Sequence, residues 1–212
     1  MNRILPLVAF LIIFALNAPG LDNGFHYDDE HSLLDNPHIR DLGNVPSFFV
    51  SPQAFSVDPQ FAMYRPLVLV SYALNYASGA YNPFYYQLFN LLVHSLTVVL
   101  VFLLLRAWTL SATAAFFAAL LFGLHPLQSE VVHYISSRSE SMASFFYLSA
   151  LLGYIYARKE ETSSIWGSLS LLAFGAALLC KATAVTLPLS LALVDWPLKQ
   201  RASSLRYWSK KN

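Results

Sequence analysis

Apolar positions along this chain gather into long runs, and those runs set its architecture. A membrane-spanning helix needs roughly 17–25 predominantly apolar residues. Residues 4–18 form the first run, interrupted by Pro6 and Asn17 and preceded by Asn2 and Arg3. A basic start with an apolar centre also describes a cleavable signal peptide. The Leu16-Asn17-Ala18 end fits a cleavage site poorly, which favours a retained span. Stronger runs cover 84–105, ending at Arg106, and 110–124, ending at His125-Pro126. Residues 142–156 stop at Arg158-Lys159, and 165–179 and 182–196 flank Lys181. Several runs are only about 15 residues long, so their polar ends need cover from neighbouring helices.

The pattern predicts an all-α integral membrane protein with about six transmembrane helices. The transmembrane domain is placed at 1–198, with a first outer loop at 20–83 and a basic cytoplasmic tail at 199–212. Within the loop, 46–54 mixes Phe48, Phe49 and Val50 with polar residues, as a short helix lying at the membrane surface does. Residues 63–80 carry Tyr72, Asn75, Tyr76 and Ser78 among apolar neighbours and read as a second interfacial or half-buried helix. A polar helical turn is expected over 128–141.

Composition agrees with the membrane reading. Apolar residues make up 56% of the 212, and charged residues 12% against about 25% in an ordinary globular domain. Mean hydropathy is +0.48. With 13 Lys and Arg against 12 Asp and Glu, the charge is too balanced for a nucleic-acid partner. The one cysteine, Cys180, excludes an intramolecular disulfide framework and multi-cysteine metal sites. Six spans from an inside N-terminus place Arg3, Arg106, Arg158-Lys159 and the tail in the cytoplasm, obeying the positive-inside rule. The acidic loop, the segment from His125 to Ser141, and Lys181 then share the outer face.

Three polar groups on that face are candidates for chemistry. His26-Tyr27-Asp28-Asp29-Glu30-His31 clusters carboxylates, whose mutual repulsion raises a pKa and suits proton uptake. The same residues also read as a solvated acidic loop or as a helix cap. His125-Pro126 ends a helix, and Glu130, His133, Ser137 and Glu140 then follow at spacings that put them on one helix face. Arg138, near the membrane boundary, needs a partner, and a Glu–Arg pair sealing the loop is the plain reading. Lys181 either snorkels to the interface or holds a phosphate, with Tyr64-Arg65 offering a second cation. Histidine spacing is not diagnostic of zinc, and no Walker loop, dinucleotide-binding glycine pattern or nucleophile elbow is present.

Several blocks carry a family resemblance. Gly24-Phe25-His26-Tyr27-Asp28-Asp29-Glu30-His31 and Asn36-Pro37-His38-Ile39-Arg40 resemble the first outer loop of the TMTC-type O-mannosyltransferases, which are GT-C-fold membrane enzymes. Tyr64-Arg65-Pro66-Leu67, Ser71-Tyr72-Ala73-Leu74-Asn75-Tyr76 and Asn90-Leu91-Leu92-Val93-His94 follow in the family's order. Leu124 to Glu130, Ser136 to Glu140 and Cys180-Lys181 complete it.

The resemblance implies a GT-C-like bundle working at the lipid bilayer with a polyprenyl-phosphate-linked sugar donor. The sugar, mannose or another hexose, would pass with inversion to a hydroxyl of a protein or glycan acceptor. Asp28 would be the base, with Asp29 assisting or positioning; an Asp29–Glu30 pair is the alternative alignment. Arg65, Arg138 and Lys181 would face the donor phosphate, Tyr64 and Glu140 would belong to the same substrate-binding set, and His125 and Glu130 would shape the pocket. No cofactor is implied, and a divalent metal is not required. The setting would be a bacterial inner membrane with a periplasmic active face, or the luminal face of the ER in a eukaryote. Ala182 stands where the family commonly has a Glu, removing an expected partner for Lys181, and no 34-residue repeat follows. A non-catalytic membrane module that binds a lipid-linked sugar, or a full-length partner, is the alternative. A small transporter is disfavoured, because charge lies only at the ends of the runs.

Overall fold

The computed structural model describes residues 4–108, 110–158 and 163–195, and the described residues are helical throughout with no strand. Helix α1 (Leu5–Asn17) has Pro6 in its first turn and runs on as a 3-10 turn to Asp22. A chain of short turns then carries the acidic segment: a π-turn at Glu30–Leu34, 3-10 turns at Pro37–Arg40 and Leu42–Asn44, and the single-turn helix α2 (Val45–Phe48). Helices α3 (Pro66–Gly79) and α4 (Pro83–Ala107) follow, then α5 (Ala112–Gly123), α6 (Gln128–His133), α7 (Arg138–Ala157) and α8 (Ser163–Cys180). A 3-10 turn, Ala182–Thr186, leads into α9 at 187–195.

Asx-Pro dipeptides punctuate the loop for a local reason. Proline fixes φ near the helical value and lacks the N–H that a first-turn residue would leave unpaired. The preceding Asx side chain then accepts from the next free N–H. Asn36 takes His38 N–H at 3.0 Å, Asp58 takes Gln60 N–H at 2.9 Å, and Asn82 takes Phe84 N–H at 3.1 Å where α4 starts.

Three apolar clusters hold the molecule together. In the first, Leu33, Ile39 and Phe48 of the loop pack on Val68, Leu69 and Tyr72 of α3, with Tyr86, Ile135 and Met142. Each such fully buried side chain contributes about 1.5–3 kcal/mol, so the loop is part of the core. The second cluster joins α1 to α4 and α5 through Ala9, Ile13, Val98, Phe102, Ala115 and Ala119. Gly123 permits that approach: a Cβ there would meet Val98 at 2.6 Å and Ile13 at 2.7 Å. The third sets Leu104 against Leu152, Ile155 and Val194. Helices α7 and α8 run antiparallel at close quarters: a Cβ added to Gly153 would meet the Trp166 carbonyl at 3.2 Å, and Ser170 donates to the Ala150 carbonyl at 2.7 Å. Small residues at a helix contact let backbones approach without a hydrophobic drive.

The described residues bear out two of the six expected spans by length and composition. Leu5–Asp22 and Pro83–Ala107 are the two described helices long and apolar enough to cross a membrane. The run at 110–124 gives only Ala112–Gly123, Ser164–Cys180 falls short by length, and Ala182–Asp195 opens with a 3-10 turn. Helix α7 has the length but opens on Arg138 and Glu140. Large apolar side chains still point outward from these elements, including Leu121, Leu171, Leu172, Leu189 and Leu193. Exposed apolar area on that scale marks a membrane or partner surface. The helix expected over 128–141 breaks at Tyr134, which is extended (φ −107, ψ 113), so Glu130 and His133 share no face with Ser137 and Glu140. The 199–212 tail and Lys159 lie outside the described residues.

Candidate functional site

Asp28 and Asp29 precede the Glu30–Leu34 turn, and Tyr27 before them has left-handed backbone (φ 44). For a residue other than glycine that conformation costs about 1 kcal/mol. Beyond it the two carboxylates enter different surroundings. Asp29 is wholly buried: one oxygen accepts from the Ser136 hydroxyl at 2.5 Å, the other from His26 N–H at 2.8 Å. Burial pushes its pKa above the ordinary carboxylate value, and those two hydrogen bonds only partly oppose the shift. Asp28 keeps 66% of its side chain exposed, with the His31 Nε2 at 4.0 Å. Its main chain is pinned instead: the N–H donates to the Tyr134 hydroxyl at 3.0 Å, and Ser32 donates to its carbonyl at 2.6 Å.

Asp28 and Arg65 line one cavity of about 90 Å³, together with His31, Ser32, Phe61 and Ser136. His31 stacks on Phe61 at 4.6 Å and pairs with Ser56 at 3.0 Å. The Arg65 guanidinium lies over the Phe55 ring and donates to the Ser139 hydroxyl at 2.9 Å. Ser139 in turn donates to one Glu140 oxygen at 2.6 Å, and Lys181 donates to the other. A continuous polar chain, Arg65–Ser139–Glu140–Lys181, therefore joins the small cavity to a second one of about 390 Å³. This larger cavity has Glu140 and Lys181 at its polar edge and Phe122, Ala143, Tyr147 and Leu148 along its wall.

The structure brings some expected residues together and separates others. Asp28, Arg65, Glu140 and Lys181 are connected as described. Tyr64, half exposed, donates to the Phe49 carbonyl at 3.0 Å and does not line either cavity. His125 lies by a separate cavity with Asn17, Gln128 and Ser129, and Glu130 is exposed on α6 and lines neither of the two cavities. Lys181 does have a carboxylate partner: Glu140, 41 residues earlier, where the sequence pointed to a loss at Ala182.

Arg138 differs most from expectation. It is fully buried, and its partners are neutral: Nε donates to Asn90 (2.8 Å), Nη1 to Ser71 (3.1 Å) and Asn75 (2.6 Å), Nη2 to the Tyr86 carbonyl (2.9 Å). Tyr72 and Phe89 stack against it, 4.7 and 4.4 Å from the guanidinium carbon. It ties α7 to α3 and α4, takes no glutamate partner, and presents no surface to either cavity.

Sequence reasoning missed Tyr134, Ser136 and Ser139 as contributors. The two serines sit inside a quoted block, Ser136 to Glu140, but nothing local in the sequence marks Tyr134. Among the described residues, no three His, Cys, Asp or Glu side chains gather closely enough to hold a metal ion.

Residues 52–209 match the family described as dolichyl-phosphate-mannose-protein mannosyltransferase. The chain is 34% identical over 191 residues to protein O-mannosyl-transferase Tmtc1 of Drosophila melanogaster, covering 87% of this chain and 22% of that protein. It is 30% identical over 168 residues to human protein O-mannosyl-transferase TMTC3, covering 77% and 18%, and 29% identical over 192 residues to human TMTC4, covering 80% and 26%. The chain thus spans about a fifth to a quarter of the length of these curated relatives. No solved structure matches it. With the family's pattern matched over most of the chain and curated relatives similar across four-fifths of it, the protein belongs to the dolichyl-phosphate-mannose-protein mannosyltransferase family, on its TMTC-type branch.

Proposed function

We propose that this chain carries the base and the donor-phosphate contacts of an inverting membrane glycosyltransferase. The donor is a sugar on a polyprenyl phosphate, and the acceptor is a hydroxyl presented at the outer face. The observation that carries this reading is the polar chain between the two cavities. A lipid tail fits the apolar wall of the larger one, the phosphate meets Lys181 and Arg65, and the sugar falls beside Asp28.

In the reaction, the acceptor oxygen attacks the sugar C1 while the C1–O bond to phosphate breaks. The acceptor proton passes to the Asp28 carboxylate, and the polyprenyl phosphate leaves with the bonding electrons. Arg65 and Lys181 stabilise the charge that develops on its oxygens. Asp28 suits the base because it is exposed at the cavity, whereas both oxygens of Asp29 are already occupied. Arg138 is assigned a scaffolding part, outside the phosphate-binding set.

The test is turnover and binding of a labelled polyprenyl phosphate sugar by the purified chain and its Asp28→Asn variant. Loss of a general base lowers turnover about 10²–10⁴-fold with donor affinity kept. Full turnover in the variant overturns the assignment. Donor binding without turnover in the parent favours the non-catalytic module.

A further inference from the structure

The 133–136 segment is tied down with unusual thoroughness for an irregular stretch. Its three successive carbonyls are each taken by a different side chain. Gln87 donates to that of His133 (3.1 Å), Asn90 to that of Tyr134 (3.4 Å), and the Tyr72 hydroxyl to that of Ile135 (3.2 Å). Asn90 is itself fixed by Arg138. Two side chains reach from this anchored segment to the acidic loop. Ser136 donates to Asp29, and the Tyr134 hydroxyl accepts the Asp28 N–H and also faces the Asp28 carboxylate.

We propose that Tyr134 is a positioning residue for Asp28: the anchored segment fixes the phenol, and the phenol fixes where residue 28 presents its carboxylate to the cavity. The consequence for turnover rests on the reading of Asp28 as base. The charged and titratable neighbours of Asp28 cannot take this part. His31 is four Å away on the same loop, Asp29 is turned to Ser136, and Arg65 is engaged with Ser139. Tyr134 alone among these brings a neutral hydroxyl from a separately anchored element.

Tyr134→Phe is the suitable variant, since it keeps the ring and leaves the exposed Asp28 N–H to water. Ser136→Ala would instead strip buried Asp29 of a partner and threaten the fold. The first readout is carbodiimide coupling of a labelled amine on the intact chain in detergent, followed by peptide mass spectrometry. Asp28 is expected to label about fivefold faster in Tyr134→Phe, with exposed Asp35 and Asp41 unchanged as internal standards. An unchanged Asp28 labelling rate overturns the proposal, whether or not the chain turns over. In turnover, kcat is expected to fall about five- to tenfold with the donor KM held. A loss carried by KM alone assigns Tyr134 to donor binding and overturns the proposal too. The Asp28→Asn variant runs alongside: full turnover there sinks the base assignment and leaves the labelling result to judge Tyr134 independently.

Discussion

Asp28 and Asp29 are neighbours in the chain with opposite environments, and burial decides their parts. Ionising Asp29 carries a cost, because burial raises its pKa more than Ser136 and His26 lower it. A carboxylate whose folded pKa exceeds the unfolded one adds its full stability below the unfolded value of about 3.9. That stability is lost as pH rises through the folded value. The melting midpoint of the parent is therefore expected to decline upward from about pH 4, and Asp29→Asn to lack that part of the decline. Equal slopes in parent and variant would mean burial is not what sets the titration. The same residue pair shows the reach of sequence reasoning. The acidic motif marked both positions, but which carboxylate is buried depends on Ser136, 107 residues away.

At the scale of elements, a buried arginine joins three helices. Arg138 on α7 meets Ser71 and Asn75 of α3 and Asn90 and the Tyr86 carbonyl of α4, so its removal strands four buried acceptors. Arg138→Met is expected to destabilise the chain by about 3 kcal/mol, seen as a lowered thermal midpoint in detergent. Arg138→Lys should not restore it, because a point charge cannot span the planar arrangement of four acceptors. A midpoint matching the parent in either variant would show that the network is not what holds these helices. The run lengths made α1 and α4 legible in the sequence, and the Asx-Pro steps mark where turns begin. The break at Tyr134 was not legible: the 128–141 stretch has helical spacing, and what ends the helix there is capture of its carbonyls by Gln87, Asn90 and Tyr72. Tertiary partners overrode the local pattern.

For the whole molecule, the proposed function and the two joined cavities together predict how affinity for a lipid-linked donor depends on its tail. Each buried CH₂ contributes about 0.8 kcal/mol. A sugar phosphate on a tail too short to fill the larger cavity is therefore expected to bind about tenfold or more weaker. Affinity independent of tail length, measured by competition against the labelled donor, would remove that cavity from the donor site. Family and the order of its motifs were readable over most of the chain, because motifs survive as contiguous blocks. The Lys181–Glu140 pair was not, since it joins residues 41 apart on different elements. The link between Asp29 and Ser136 also governs when the site comes into being. Ordering a distant partner carries a chain-closure cost that grows with the intervening length. During synthesis, the acidic loop is made long before Ser136, and Asp29 stays without that anchor until α3, α4 and the start of α7 have assembled. Local turns in the loop can form early, but the arrangement around Asp28 and Asp29 is among the last features to mature.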